Sequence, residues 1–247
     1  MFILSILFFI TAILYSSVGF GGGSTYLALL LIWDIPYFIF PVIALVCNII
    51  VVSGNSINYS RAGNLNFRLL IPYLLGSVPF AFIGGTVIIK KELFEILLFL
   101  ILSIAGISLL IQNKSYEEKK IKYIQSSVYL SFFIGSILGL ISGIVGIGGG
   151  IFLSPILFLL KSAPPKQIVT TASFFILINS ISGVLGQLTK EGVYEQILNY
   201  WLLFVVVFIG GQIGNFINLK IFSNRSLAIV TACLVIFVAI RMGIKLI

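Results

Sequence analysis

Along this chain, apolar positions gather into long blocks, and clearly polar positions are confined to short intervals between them. A membrane-spanning helix needs about 20 predominantly apolar residues, and windows such as 93–112 and 200–216 supply roughly that length. The pattern predicts an all-α polytopic membrane protein. One interval stands apart as strongly polar: QNKSYEEKKIK, residues 112–122, near the middle of the chain. It separates a first transmembrane repeat, 1–112, from a second, 124–247, and leaves 113–123 as a basic linker.

The two pieces resemble each other in order as well as in length. VGFGGG at 18–23 returns as VGIGGG at 145–150. After each glycine cluster comes a short apolar piece (25–33 and 151–160), then a connection with proline (Pro36; Pro164 and Pro165). A segment dotted with small polar residues follows (44–58 and 170–187), and then a glycine-bearing turn, Arg61-Ala-Gly63 and Lys190-Glu-Gly192. Internal repeats of this kind are typical of secondary transporters. Residues 1–14 lack a basic leading region and a small-residue cleavage site, so they read as a retained first membrane segment.

The apolar piece after each cluster has only about ten residues, roughly 15 Å as a helix and half a membrane. If the glycines form a hairpin tip, each half crosses an odd number of times and the repeats are inverted. If they interrupt one long helix, each half crosses four times and the repeats are parallel. Under the hairpin scheme Lys and Arg divide ten against five between the two sides; under the parallel scheme, nine against six. The positive-inside tendency favours the inverted arrangement, with the linker in the cytoplasm and both termini outside.

Within the first block, SVGFGGGST (17–25) places glycines and hydroxyls where lipid surrounds the chain. Each unpaired amide in hydrocarbon costs several kcal/mol, so irregular backbone survives only inside protein or beside a polar cavity. Glycine also lets main chain approach a ligand closely, and a helix starting after the cluster directs unpaired N–H groups and its positive dipole end there. The preferred guest is an anion. Ser24 and Thr25 stand where they would cap that helix or donate hydroxyls to the guest, whereas Ile151 and Phe152 occupy the matching positions of the second half. The other reading of such glycines is close helix packing. It suits Gly135, Gly139 and Gly143, spaced by four, and Gly210 with Gly214, better than it suits three consecutive glycines that recur. Small polar residues form a second constellation: Asn48, Ser53 and Asn55 in one half; Thr170, Thr171, Ser173, Asn179, Ser180, Ser182 and Gln187 in the other. Asn48 and Asn55 are seven apart and share a helix face. They either bind an oxygen-rich solute or join helices by hydrogen bonds, and that face turns inward in both cases.

Composition agrees with the pattern. Charged residues make up 9% of the chain and mean hydropathy is +1.20, against roughly 25% charged in soluble domains, so the chain belongs in a bilayer. The formal charge of +8 sits in short connections and reads as topology and lipid contact, not nucleic-acid binding. The chain has no His, and Cys47 and Cys233 lie in apolar segments without neighbouring ligands, which argues against a metal centre or a disulfide framework. Charged residues such as Asp34, Glu95 and Arg241 lie towards segment ends, which leaves a carboxylate or histidine proton relay without evident members. No cofactor, metal or enzymatic activity is expected. Nor does either glycine cluster complete a nucleotide-binding loop.

Chain length, the two halves around a linker, the duplicated GFGGGS (19–24) and GIGGGI (146–151), the small polar segment and the later FIGGQIG (208–214) together resemble the TauE/SafE sulfite exporter family, also called the toluene-sulfonate uptake permease family. The resemblance covers essentially the whole chain. It implies a transporter of small sulfur-containing or organic anions, such as sulfite and sulfonates, in a bacterial or archaeal plasma membrane. The chain departs from the family at Ile151 and Phe152, in place of a second hydroxyl pair, and at Asn48 and Asn55, where Ser and Thr are expected.

The expected substrate site comprises Ser17, Gly19, Gly21, Gly22, Gly23, Ser24 and Thr25 from the first half. Gly146, Gly148, Gly149 and Gly150 come from the second, with Asn48, Asn55, Thr171 and Ser173 flanking. Expected partners are a small anionic substrate and the lipid bilayer, with no nucleic acid; a homodimer is left open. Two rival functions remain: an anion channel or passive uniporter, which would show no saturable counterflow, and a non-transporting assembly or anchoring subunit.

Overall fold

The computed structural model describes residues 1–33, 35–112, 127–218 and 240. The expected linker at 113–123 lies outside the described residues, as do Asp34, Cys233 and Arg241. Among the described residues every regular element is helical. The first half contains α1 (Phe2–Val18), α2 (Gly23–Ile32), α3 (Phe40–Arg61), α4 (Phe67–Thr86) and α5 (Lys91–Gln112). The second contains α6 (Val128–Val145), α7 (Gly150–Leu159), α8 (Pro165–Gln187), the short α9 (Val193–Ile197) and α10 (Trp201–Asn218). Five stretches of the described residues are long and apolar enough to cross a membrane: Tyr37–Arg61, Phe67–Thr86, Val128–Val145, Lys166–Gln187 and Val193–Ile217. Their outward faces carry exposed Phe80, Phe82, Ile83, Phe132, Phe133 and Phe208, an apolar belt that only lipid or another apolar surface would cover.

The halves interlock by exchange. Helix α4 of the first half packs along α6 of the second, and α10 of the second packs along α1 of the first. Glycines make both contacts close enough for main chain to meet main chain. A Cβ on Gly135, Gly139 or Gly143 would collide with the carbonyl oxygen of Tyr73, Ser77 or Ala81. At the other seam a Cβ on Gly210 would lie 2.6 Å from Phe9 O, and one on Gly214 would collide with Ile13 O. Ser16 Oγ adds a 2.7 Å bond to Gly211 O. Without a hydrophobic drive between helices in lipid, such close van der Waals approach is a principal source of association. The packing expected of these glycine stripes is what the structure shows.

At the centre α3 lies against α8, and the two run in opposite directions. Leu45 approaches Gly183, and Ser56 Oγ lies 3.2 Å from Ser173 Oγ, so numbering falls on one helix as it rises on the other. Asn48, Asn55, Thr170, Thr171, Ser173, Asn179, Ser180 and Gln187 are all buried, so the polar faces of both helices turn inward, as their spacing predicts.

The glycine seams make unequal demands. Gly139→Ala forces a methyl group onto Ser77 O and is expected to cost about 1–3 kcal/mol. A methyl at Gly211 meets Val51 Cα at 3.6 Å, ordinary contact, so Gly211→Ala is expected to be neutral or to gain up to about 1 kcal/mol from helix preference. Thermal unfolding of the two variants in detergent checks this; equal losses would contradict it.

Candidate functional site

Each glycine cluster ends one helix and starts another that folds back. Gly19 terminates α1 with φ 84°, and Gly22, with φ 85°, caps α2. In the second half Gly146 (φ 91°) terminates α6, and Gly149 (φ 74°) caps α7. L side chains rarely adopt this left-handed backbone, whereas glycine adopts it freely. At Gly22 the Tyr15 and Tyr26 rings would also stand 3.1 and 3.2 Å from an added Cβ. The direction of α2 follows from its contacts. Tyr15 Oη lies 2.7 Å from Thr25 Oγ1 and 3.4 Å from Ser24 Oγ, and the Phe8 and Tyr26 rings stack at 4.7 Å. Helix α2 therefore returns along α1, and its ten residues cover about 15 Å. In the second half the chain also turns back at the break, where a Cβ on Gly149 would lie 3.4 Å from Leu138 O, and α7 then packs against α8 and α5.

The capping expected of Ser24 and Thr25 does not occur. The glycine cap places them inside the first turn of α2, and no side chain caps either short helix. Thr25 N–H and Tyr26 N–H both reach Gly22 O, which leaves the N–H groups of Gly23 and Ser24 as first-turn donors without an intrahelical acceptor. In α7, Phe152 and Leu153 N–H bond to Gly149 O, so Gly150 and Ile151 hold the equivalent positions.

Asn48 joins the two breaks. Its Nδ2 donates to Ile147 O at 3.1 Å, tying α3 to the second cluster. A Cβ on Gly23 would lie 2.7 Å from Asn48 Nδ2, one on Gly21 would collide with the same amide, and one on Gly148 would lie 2.9 Å from Nδ2 and 3.0 Å from Ser180 Oγ. One buried amide thus touches both clusters, a convergence that spacing alone did not reveal. Asn48 Oδ1 and Ser180 Oγ are buried without a hydrogen-bond partner, a state that costs about 1–3 kcal/mol per group unless a guest or water relieves it. Beside them is a cavity of about 10 Å³, lined by Tyr15, Phe20, Gly21–Gly23, Ser24, Ile147, Ile151 and Ile176. That is about enough for one water, so an oxyanion enters only when the walls separate.

The expected residues divide by position. Gly21, Gly22, Gly23 and Ser24 line the cavity; Asn48 and Gly148 adjoin it; Thr25 sits behind, on Tyr15. Gly149 and Gly150 face Phe175 and Ile176 of α8. Gly19 faces Tyr59 and Gly146 packs on Pro41, while Ser17 Oγ bonds to Leu14 O. Asn55, Thr171 and Ser173 form a separate buried layer, about 10 Å from Asn48 at two turns of α3. Within it the Asn55 amide and Thr171 Oγ1 are unpartnered. Tyr15 was missed because it lies in a mainly apolar helix; Ser180 was named among the polar residues of its segment but not placed at the site, being one hydroxyl among several on α8. Among the described residues no group of His, Cys, Asp and Glu fits a metal ion. Lys190 stands apart at the end of α8, where burial lowers its pKa from 10.5 to about 8 and Nζ donates to Gln187 Oε1 at 2.8 Å.

The chain is similar to known membrane proteins. The family model for the sulfite exporter TauE/SafE matches residues 4–242. A probable membrane transporter protein of Sinorhizobium fredii is 25% identical over 97% of this chain and 96% of its own length. Another, of Methanocaldococcus jannaschii, is 30% identical over 89% and 86%. A third, of Bacillus subtilis, is 23% identical over 95% and 94%. No solved structure matches the chain.

The contact between Asn48 and the glycines generates a coupling test. Gly23→Ala alone is expected to destabilise, because its methyl meets the amide, and Asn48→Ala alone removes the tie to Ile147. The double variant removes the amide from the methyl and leaves only Ile147 O, at 3.0 Å, so a double-mutant cycle on unfolding in detergent should give about 0.5–3 kcal/mol of favourable coupling. Additive losses would remove Asn48 from the junction.

Proposed function

Because the chain belongs to the TauE/SafE sulfite exporter family, we propose that this membrane transporter carries small anions, foremost sulfur oxyanions or organosulfonates such as sulfite, through a site between its two glycine breaks. The observation that carries the proposal is the meeting of two uncapped helix starts, α2 and α7, at one buried cavity. Each helix start offers a partial positive charge worth about 0.3–2 kcal/mol to an anion. Hydrogen bonds to a charged group contribute about 1.5–3 kcal/mol each. The amides of Gly23, Ser24, Gly150 and Ile151 therefore outweigh the dipoles, and together they offset the desolvation of a small anion. Asn48 and the Ser24 hydroxyl add side-chain contacts at the same place.

The halves act as inverted repeats. The antiparallel α3 and α8 support this, because they are equivalent elements of the two halves. So does the reversal of the chain at both glycine breaks, the hairpin arrangement under which inverted repeats are expected. Alternating access is then the rocking of one repeat against the other about the anion. The closeness of the cavity favours a carrier over an open pore, since a passage already continuous would not narrow to one water. Membership of a transporter family points to transport and not to catalysis.

Purified protein in liposomes tests this with sulfite, thiosulfate, sulfonates and carboxylates, each with and without a proton gradient. Saturable flux with counterflow for at least one sulfur anion is expected, and its loss in Gly22→Leu while the variant still inserts. Flux that rises linearly without counterflow would indicate a pore; full flux in Gly22→Leu would place the site elsewhere.

A further inference from the structure

A second cavity opens at the far end of α3. It is a wide cleft of about 410 Å³ between α3 and α8. One wall is α3, with Ser53, Ser56, Ile57, Ser60 and Arg61; the other is α8, apolar there, with Phe174 and Leu177. Ser53, Ser56, Ile57 and Ser60 follow a spacing of three, four and seven, one face of a helix. We propose that this cleft is an outer anion site, taking an oxyanion that bears an apolar substituent, with the charged group at Arg61 and Ser60 and the substituent against Phe174 and Leu177.

The charge distribution supports an anion. Glu92 and Glu95 stand on the first turns of α5, at the end where Phe94 packs on Phe40 at the start of α3. Glu191 and Glu195 stand in and before α9, beyond the end of α8. These are the acidic residues among the described ones, and all lie at the end of the bundle opposite Arg61. The Arg61 end holds Arg68, Lys161 and Lys166, together with the start of α8, where Asn66 Nδ2 reaches Gln167 Oε1 at 3.0 Å. The negative end of α3 is blunted, since the carbonyls of Asn58, Tyr59 and Ser60 accept N–H bonds from Ala62, Asn64 and Gly63. A cleft lined by one sign of charge with apolar walls concentrates the opposite sign.

The inference rests on the transport reading for its purpose, because the cleft points toward the inner cavity. Ser56 lines its floor, is itself buried, and touches Ser173. Next along α3 is Asn55, buried with both side-chain polar atoms unpaired, two turns before which stands Asn48. Parting Ser56 from Ser173 would extend the cleft into this polar layer.

Anionic lipid headgroups share the chemistry of such a ligand, and the test separates the two. Ser60→Cys, combined with Cys233→Ser, is labelled in liposomes of purely zwitterionic lipid by methanethiosulfonate reagents of opposite charge, with rates normalised to a free thiol. Cys47 is fully buried and stays silent. The anionic reagent should react about tenfold faster than the cationic one. Arg61→Gln should erase the preference and Arg61→Lys restore it. Benzenesulfonate should slow labelling saturably, at lower concentration than inorganic sulfate. Absence of a charge preference, or equal protection by sulfate, overturns the proposal. Protection by added anionic lipid with none from benzenesulfonate also overturns it, assigning the cleft to headgroups. Labelling as expected in a chain that moves no anion leaves the cleft standing and removes the transport reading. Flux without charge preference in labelling removes the cleft alone.

Discussion

The constraint on which this structure depends is the cost of an unpaired main-chain amide in hydrocarbon, several kcal/mol per group. A helix pairs its own amides except at its start, so a chain that starts two helices inside the bilayer must shelter those starts in protein. The bundle does so by bringing both to one place. The amide of Asn48 lies against Gly23 at the start of α2 and against Gly148 just before α7; the rings of Tyr15 and Tyr26 cover the first start, and Phe175 and Ile176 cover the second. Enclosure by protein removes lipid from the donors, and it also leaves them available to a guest that carries negative charge.

Glycine serves this arrangement in two physically different ways. On α4, α6 and α10 its missing side chain lets helices touch main chain to main chain, which holds the interlocked halves together where no hydrophobic drive acts between helices. At Gly22 and Gly149 its left-handed backbone lets the chain reverse and leave a helix start uncapped. The first use makes close, buried seams between the two halves. The second makes an irregular centre whose polar atoms include Asn48 Oδ1 and Ser180 Oγ, buried without a hydrogen-bond partner.

Much of this was legible in the sequence. Helical class, the duplicated clusters, the short segments after them and the packing stripes all follow from spacing and from what lipid forbids. The inward face of Asn48 and Asn55 followed from a separation of two turns. Three features escaped for physical reasons. Ser24 and Thr25 look like caps because hydroxyls after glycine usually are, yet a left-handed glycine had already taken that position. Tyr15 gave no signal, since its role arises only when α2 folds back on α1. The division of the polar residues into an inner site at Asn48 and a separate layer at Asn55, Thr171 and Ser173 depends on the register of α3 against α8, which no local pattern encodes.

In the proposed site the two helix starts hold an anion together. The most direct measurement of this is the anomalous scattering map of crystals soaked in selenate, a heavier stand-in for a sulfur oxyanion. A selenium peak is expected between the breaks, within hydrogen-bond reach of the main-chain N–H groups of Gly23 or Ser24 and of Gly150 or Ile151. A peak bound elsewhere, with the breaks filled only by side chains, would contradict it.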